Sequence, residues 1–262
     1  AMNDSVQRFI SINLGANNYY AVSNTLKNSI LIYFLGGMFF FILLLIIRGY
    51  VIGHVLTIDV NSLSTAKEVY IIALFSIFIS IIQTPFNALV LAHEKMSFYA
   101  YMAIFDSLSK LIVSFVLTVL PYNKLIIYSL LLLLSSLTSF CIYVFYCYKN
   151  FPLSFKGGVL SRKVIKDITM FSFWNTFGNF AYVCRTQGIN IAINVFFATT
   201  VNAAYALSAT ILNAINSLTQ SLVSAVRPQI FKSYAEKNEQ RYLTLVTYCS
   251  KYTFSFLFLI SC

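Results

Sequence analysis

TQGINIAINVFFATTVNAAYALSATILNAINSLTQSLVSAV, residues 186–226, runs for about forty residues between Arg185 and Arg227 without one formally charged side chain. At about 1.5 Å per residue a single straight helix of that length reaches roughly 60 Å, twice the hydrocarbon core of a bilayer at about 30 Å. The stretch therefore reads as two membrane crossings joined by a tight turn, placed at Ala198-Thr199-Thr200-Val201-Asn202. A soluble core does not absorb so much uncharged helix in one place.

Working outward, 59% of the residues are hydrophobic and 10% charged, with a mean hydropathy of +0.77; soluble domains are about a quarter charged. Nearly uncharged stretches recur at 28–47, 69–92, 97–120, 125–148, 168–197, 202–226 and 242–262. Backbone groups in lipid must be satisfied within their own segment, so each stretch is expected to be helical. The fold class is all-α: a polytopic membrane bundle with about seven transmembrane helices. Pro85 is expected to kink the second crossing, and Pro121 and Pro228 to mark crossing ends.

The net charge of +10 does not point to nucleic acid, because the basic residues sit in short connections and form no continuous stripe. Taken alternately, one set of connections holds Arg8, Lys27, Lys95, Lys149, Lys156, Arg162, Lys163, Lys166, Arg227, Lys232, Lys237 and Arg241; the other holds Arg48, Lys67 and Lys124. Twelve against three assigns the first set to the cytoplasm. Removing any one crossing scrambles that alternation.

The five cysteines form no C-x-x-C pair, and His93-Glu94 lacks the second histidine of a zinc-protease motif, Ser97 standing in its place. No metal, cofactor or enzymatic activity is expected. His93, Glu94 and Lys95 read as a solvated charge cluster in a cytoplasmic turn. The outer connection Gly49–Lys67 offers only His54 and Asp59 as reactive groups.

The connection from Lys149 to Lys166, with Pro152, Gly157 and Gly158, has the turn residues of a linker. The organisation read from this is 1–150 as an N-terminal lobe, 151–166 as a cytoplasmic linker and 167–262 as the start of a C-terminal lobe. Both lobes are read as incomplete, because the chain begins in polar sequence and stops inside an apolar run. Gln7-Arg-Phe-Ile-Ser11 and Gln229-Ile-Phe-Lys-Ser233 are alike, and a shift of 222 residues also pairs Tyr20 with Tyr242. Six crossings separate the copies, so both lie on one side of the membrane, as in a parallel repeat of six helices per half.

Polar groups inside the crossings are the candidate functional residues. Arg185 lies near mid-crossing, where a guanidinium costs about 2.5–3.5 kcal/mol on insertion scales, so it should face a wet cavity or a partner. Asn175, Asn179, Thr186, Asn190 and Asn194 recur on the same helix; Asn213, Asn216, Ser217, Gln220 and Ser224 recur on the next. These stripes either line a hydrophilic path or act as interhelical hydrogen-bonding glue. Asp106 precedes Lys110 by four residues, the favourable order for an intrahelical pair; the alternative is that Asp106 titrates or binds a cation to couple transport to an ion gradient.

Four segments carry a family resemblance: Arg8-Phe-Ile-Ser-Ile-Asn-Leu-Gly15, Thr84-Pro-Phe-Asn-Ala-Leu-Val-Leu-Ala-His-Glu-Lys-Met96, Gln187–Phe197 with Val201–Ala204, and Arg227-Pro-Gln-Ile-Phe-Lys-Ser-Tyr234. The chain resembles the polysaccharide/oligosaccharide flippases of the multidrug/oligosaccharidyl-lipid/polysaccharide (MOP) exporter superfamily. That resemblance implies two pseudo-repeated six-helix lobes about a central cavity, this chain supplying helices three to nine. It implies a multi-pass protein of the bacterial plasma membrane that flips undecaprenyl-diphosphate-linked oligosaccharide for O-antigen, capsular or exopolysaccharide synthesis. Expected partners are the lipid-linked oligosaccharide, membrane lipids, and the polysaccharide polymerase and glycosyltransferases, with no nucleic acid. Under that reading Arg185 attracts the diphosphate and Asn179, Asn190, Asn194, Asn213, Asn216 and Gln220 hold sugars. The alternatives are a multidrug cation antiporter of the same superfamily, whose cationic substrate Arg185 repels, and a membrane enzyme of glycan assembly.

Overall fold

The computed structural model describes residues 2–50, 63–119 and 124–261, without the side chains of Ile191, the stretch 194–204 and a few helix ends. Pro121, Cys262 and the outer-loop candidates His54 and Asp59 lie outside the described residues. The described chain is helical: α1 (Met2–Gly15), α2 (Tyr19–Tyr50), α3 (Leu63–Ala92), α4 (Met96–Val119), α5 (Lys124–Asn150), α6 (Arg162–Ala235) and α7 (Glu239–Ser261), with a 3₁₀ turn at Pro152–Phe155. Four helices, α2 to α5, are long and apolar enough to cross a membrane. They coincide with four of the crossings expected from composition. Pro85 lies inside the unbroken α3, and Pro228 lies inside α6, which continues to Ala235. The helix runs on for seven residues past Pro228, beyond the crossing expected at 202–226.

α6 is assigned as helix over 74 residues, which if straight would measure about 110 Å. It cannot be straight. The Phe171 ring lies 6.1 Å from Phe9 of α1, and the Arg227 guanidinium lies 2.6 Å from Asp4 of the same helix. α1 has 14 residues and is about 20 Å long, whereas Phe171 and Arg227 on a straight helix would stand about 84 Å apart. One cavity is lined by Phe171 together with Ile230 and Phe231. The helix must double back, and equal arms put the reversal near residue 199, within the turn expected at Ala198–Asn202. The backbone is helical up to that reversal on both sides, without an intervening loop.

Burial is concentrated at one end of the bundle. Val6 and Ile10 of α1, Val22 and Leu26 of α2, Leu89 and Val90 of α3, Cys147 of α5 and Ile168 of α6 are fully or almost fully buried together. Elsewhere the large apolar side chains face outward, as with Ile46 at 75% and Phe115 at 70% exposure. Water would not tolerate such a surface, whereas lipid requires it. Apolar contacts between crossings include Phe41 against Phe75 and Phe78 and Phe98 stacked at 3.6 Å on Tyr146.

The buried end is the one assigned to the cytoplasm, and the connections of the basic set meet there. His93 of the α3–α4 turn stacks on Phe151 of the linker at 3.9 Å. Three turns at this end share one construction. Asn17, Glu94 and Lys237 each take a left-handed φ of 55–59°, and in each case the next amide bonds back five residues, as Lys95 does to Val90. This is the Schellman stop, where glycine is the usual occupant. Asn18 and Asn238 then cap the amides of Ala21 and Arg241, each at 3.0 Å. The two halves are thus equivalent at their turns, with Asn17 matched to Lys237, a shift of 220. The shift of 222 taken from the residue identities is corrected, because Ser11 stands six residues before its turn and Ser233 four before its own.

The linker is strapped onto α2. Asn24 Oδ1 accepts the Val159 amide at 2.6 Å, Lys27 donates to the Gly158 carbonyl at 2.9 Å, and Asn28 both donates to Val159 and accepts from Ser161. A Cβ on Gly158 would stand 2.7 Å from the Ser23 carbonyl oxygen, so only glycine lets the strap lie this close.

Candidate substrate path and its cytoplasmic end

The candidate residues lie on the two arms of the α6 hairpin. Arg185 is exposed, its guanidinium carbon 5.9 Å from the Tyr182 ring on the preceding turn. It sits about 100° around the helix from Thr186 and hence beside, not within, the amide stripe. Asn179 is exposed; Asn190 is half-buried and donates to Gln187 at 3.4 Å. The side chain of Asn194 lies outside the described residues. On the second arm Asn213, Asn216 and Gln220 are all exposed. The described bonds of both stripes stay within their own arm: Thr186 donates to Tyr182 and Ser217 to Ala214.

Asp106 is half-buried in α4, and its carboxylate accepts a hydrogen bond from Ser139 of α5. Lys110 is exposed. Among the described residues the ion pairs are Arg227–Asp4, Lys232–Glu94 and Arg241–Glu236; Asp106 and Lys110 form none.

The other concentration of polar side chains closes the cytoplasmic end. α1 and the last turns of α6 run side by side in the same direction. Asp4 pairs with Arg227 at 2.6 Å, and at the other end a Cβ on Gly15 would stand 2.6 Å from the Lys232 carbonyl oxygen. Parallel packing of the two repeat segments is what an axis along the membrane normal produces. From the α3–α4 turn, Glu94 accepts from Lys232 at 2.6 Å and from Gln229 at 3.3 Å. Within this seam Gln7, Ser11 and Ser233 are buried with polar atoms that have no protein partner. Beside it a cavity of about 360 Å³ is lined by Arg8, Ile12, Phe171, Ile230, Phe231, Tyr234 and Tyr242; Arg8 rests 4.5 Å above the Phe171 ring, a cation–π contact.

The expectation that His93 and Glu94 belong to a solvated cluster is corrected. Glu94 joins α6, and His93 is packed against the linker. The His93 Nδ1 lies 3.0 Å from the Leu89 carbonyl, which can only accept, so Nδ1 carries the proton. Burial pushes its pKa below the usual histidine value, a push that the bond to Leu89 opposes and Lys232 and Lys95 reinforce. Asp4, Asn24 and Asn28 carry no signal in the sequence, and Glu94 reads there as solvated, because the partners of all four lie more than a hundred residues away. The available signal was a glutamate at a helix stop where glycine is the default.

The family profile described as "Polysaccharide biosynthesis protein" matches residues 2–234. Curated proteins return no match. Among solved structures, a MOP-superfamily transporter from Pyrococcus furiosus, reported with reversed binding-pocket polarity, superposes with a TM-score of 0.80 at 14% identity, over 97% of this chain and 57% of its own. A MATE protein in complex with Br-NRF gives 0.78 at 13% identity, over 95% and 58%. A MATE-family multidrug-resistance transporter in an outward-facing conformation gives 0.72 at 14% identity, over 97% and 57%. The chain spans under three-fifths of each of these structures, and at such identities the likeness establishes the fold. With its family profile covering nearly the whole sequence and its helices superposing on these folds, the chain belongs to the polysaccharide biosynthesis protein family and is a multi-pass membrane protein of the MOP-exporter fold.

Proposed function

We propose that the protein moves a lipid-linked oligosaccharide, carried on undecaprenyl diphosphate, from the cytoplasmic to the outer leaflet of the bacterial plasma membrane. It does so as a transporter, not an enzyme, working beside the polymerase and glycosyltransferases of the same glycan. The observation that carries this reading is the Arg185 guanidinium, held in an otherwise uncharged crossing with no carboxylate paired to it among the described residues. A cation at such a depth in a membrane is stabilised by an anionic headgroup. The amides of Asn179, Asn213, Asn216 and Gln220, exposed on the hairpin, suit sugar hydroxyls, and Asn190 and Asn194 continue the first stripe. The acyl chain stays in lipid, so only the polar head needs shelter. An inside-negative potential favours outward movement of an anion by about 2.3 kcal/mol per charge per 100 mV, or roughly 4–5 kcal/mol for two charges.

Drug–cation antiport is the second reading, favoured by the superposition on MATE structures. Asp106, accepting from Ser139 between α4 and α5, would then be the ion-coupling carboxylate. The deciding experiment is Arg185→Ala in the full-length protein. Flipping of the lipid-linked glycan should fall at least tenfold with membrane insertion unchanged. Near-normal flipping in the mutant removes the assignment of Arg185, and cation export without any effect on glycan assembly reverses the choice of substrate.

A further inference from the structure

We infer that Asp4–Arg227 and Glu94–Lys232 form a releasable latch that seals the cytoplasmic end between the first bundle and the α6 hairpin, with Glu94 as its pivot. The inference goes beyond the proposed transport and does not depend on which substrate is carried.

Three observations meet here. The first is where the contacts lie. Hydrogen bonds from the described polar residues of both hairpin arms stay within their own arm until the last turns of α6, where Arg227, Gln229 and Lys232 reach Asp4 and Glu94 across the seam.

The second is the chemistry of the seal. A permanent helix interface is dominated by apolar packing. This one buries Gln7, Ser11 and Ser233 with unpartnered polar atoms and is bridged by ion pairs whose side chains keep 25–41% of their exposure. Partly hydrated pairs are weak and exchange readily with water, and buried donors without partners oppose closure. Such a seam opens at little cost.

The third is Glu94 itself. It occupies the left-handed stop of α3 with φ of 59°, a backbone region that glycine, and to a lesser degree asparagine and aspartate, adopt with little strain but glutamate does not. Glycine would satisfy the turn better. From that position the carboxylate takes both Lys232 and Gln229. The equivalent stops at Asn17 and Lys237 have the same φ of 55°, but the described bonds give neither of them a cross-seam side-chain partner.

The test uses the full-length protein in inside-out vesicles, with Cys141, Cys184, Cys249 and Cys262 replaced and Ser233→Cys as reporter. Ser233 is 1% exposed and its hydroxyl has no partner, so the substitution breaks no bond. Native Cys147, 0% exposed between α3 and α5, is the internal control for unfolding. Labelling with an impermeant maleimide should be slow in the parent and rise about tenfold in Glu94→Gly and in Asp4→Asn, with Cys147 still protected. Thermal stability of Glu94→Gly should hold or increase, since the strained turn is relieved. Exchanging the charges, Asp4→Arg with Arg227→Asp, should restore protection. Labelling of both single variants within twofold of the parent overturns the latch, as does a rise matched at Cys147 or one that the charge exchange fails to reverse. Because no substrate is present, loss of the flippase reading leaves this result intact, and the converse holds.

Discussion

Replacing Asn28 by alanine should release the linker from α2, and the size of the effect follows from the geometry. Asn28 is fully buried. Its Nδ2 donates to the Asn24 carbonyl at 2.6 Å and the Val159 carbonyl at 3.1 Å, while its Oδ1 accepts from the Ser161 amide at 3.0 Å. Asn28→Ala leaves one strap carbonyl and one strap amide unpaired, at about 1–3 kcal/mol each. The strap escapes that cost by lifting into water, held then only by Lys27 and Asn24. A shift of about 2–4 kcal/mol in the local opening equilibrium corresponds to roughly 30- to 1000-fold more open strap. Trypsin cleavage after the exposed Lys156, in vesicles with the cytoplasmic face outward, reads that population when reclosing outpaces cutting. Asn28→Asp keeps an acceptor for Ser161 but sets a buried carboxylate oxygen against the Asn24 and Val159 carbonyls, so it should open the strap at least as far as alanine does. Cleavage of Asn28→Ala within threefold of the parent would refute the strap as described, because the bonds counted here would then be holding nothing.

Gly15→Ala and Gly36→Ala should act with opposite signs. A Cβ at Gly15 meets backbone atoms of Lys232 at 2.6 and 2.8 Å, whereas nothing lies within 4 Å of one at Gly36. The first should cost about 1–3 kcal/mol of packing against a helix-propensity gain of about 1, and the second should keep that gain; thermal unfolding in detergent decides, and equal shifts would remove the close approach of α1 to α6. For His93, a lowered native pKa means that the unfolded chain binds more protons between the native value and about 6.5. Its contribution is present above about pH 6.5 and is lost as pH falls through that window. His93→Phe, which keeps the stack on Phe151, should flatten the fall in melting temperature between pH 7.5 and 5, and an unchanged slope would exclude His93 as its source.

The parallel repeat illustrates how sequence and structure divide the information. Identities at Gln7/Gln229 and Ser11/Ser233 suggested the repeat and the six crossings between the copies placed both on one side of the membrane; the side-by-side packing of α1 with the end of α6 agrees. Their register was set by something else: where each helix stops. A Schellman stop depends on a left-handed residue, and Asn17 and Lys237 share no side chain that would align them. Asp106 offers a second case. The favourable spacing to Lys110 is a local property of one helix, but Ser139 on the neighbouring helix lies close enough to take the carboxylate instead.

The sequence alone determined the class of this protein, because lipid leaves a chain few choices: about twenty apolar residues must cross as helix, and basic connections must stay inside. It also determined four crossings, three of them to within about five residues, and that the basic connections gather at one end of the bundle. It could not determine which polar groups meet there, since Asp4 with Arg227, Glu94 with Lys232 and Asn28 with Ser161 are joined across 133 to 223 residues. The reversal of α6, by contrast, was legible: an uncharged run of about forty residues is twice what one crossing needs, which put the turn at Ala198–Asn202 although that segment holds neither glycine nor proline. Periodicity, run length and charge are local quantities, whereas the seam arises from packing between helices distant in sequence, and only the assembled bundle fixes it.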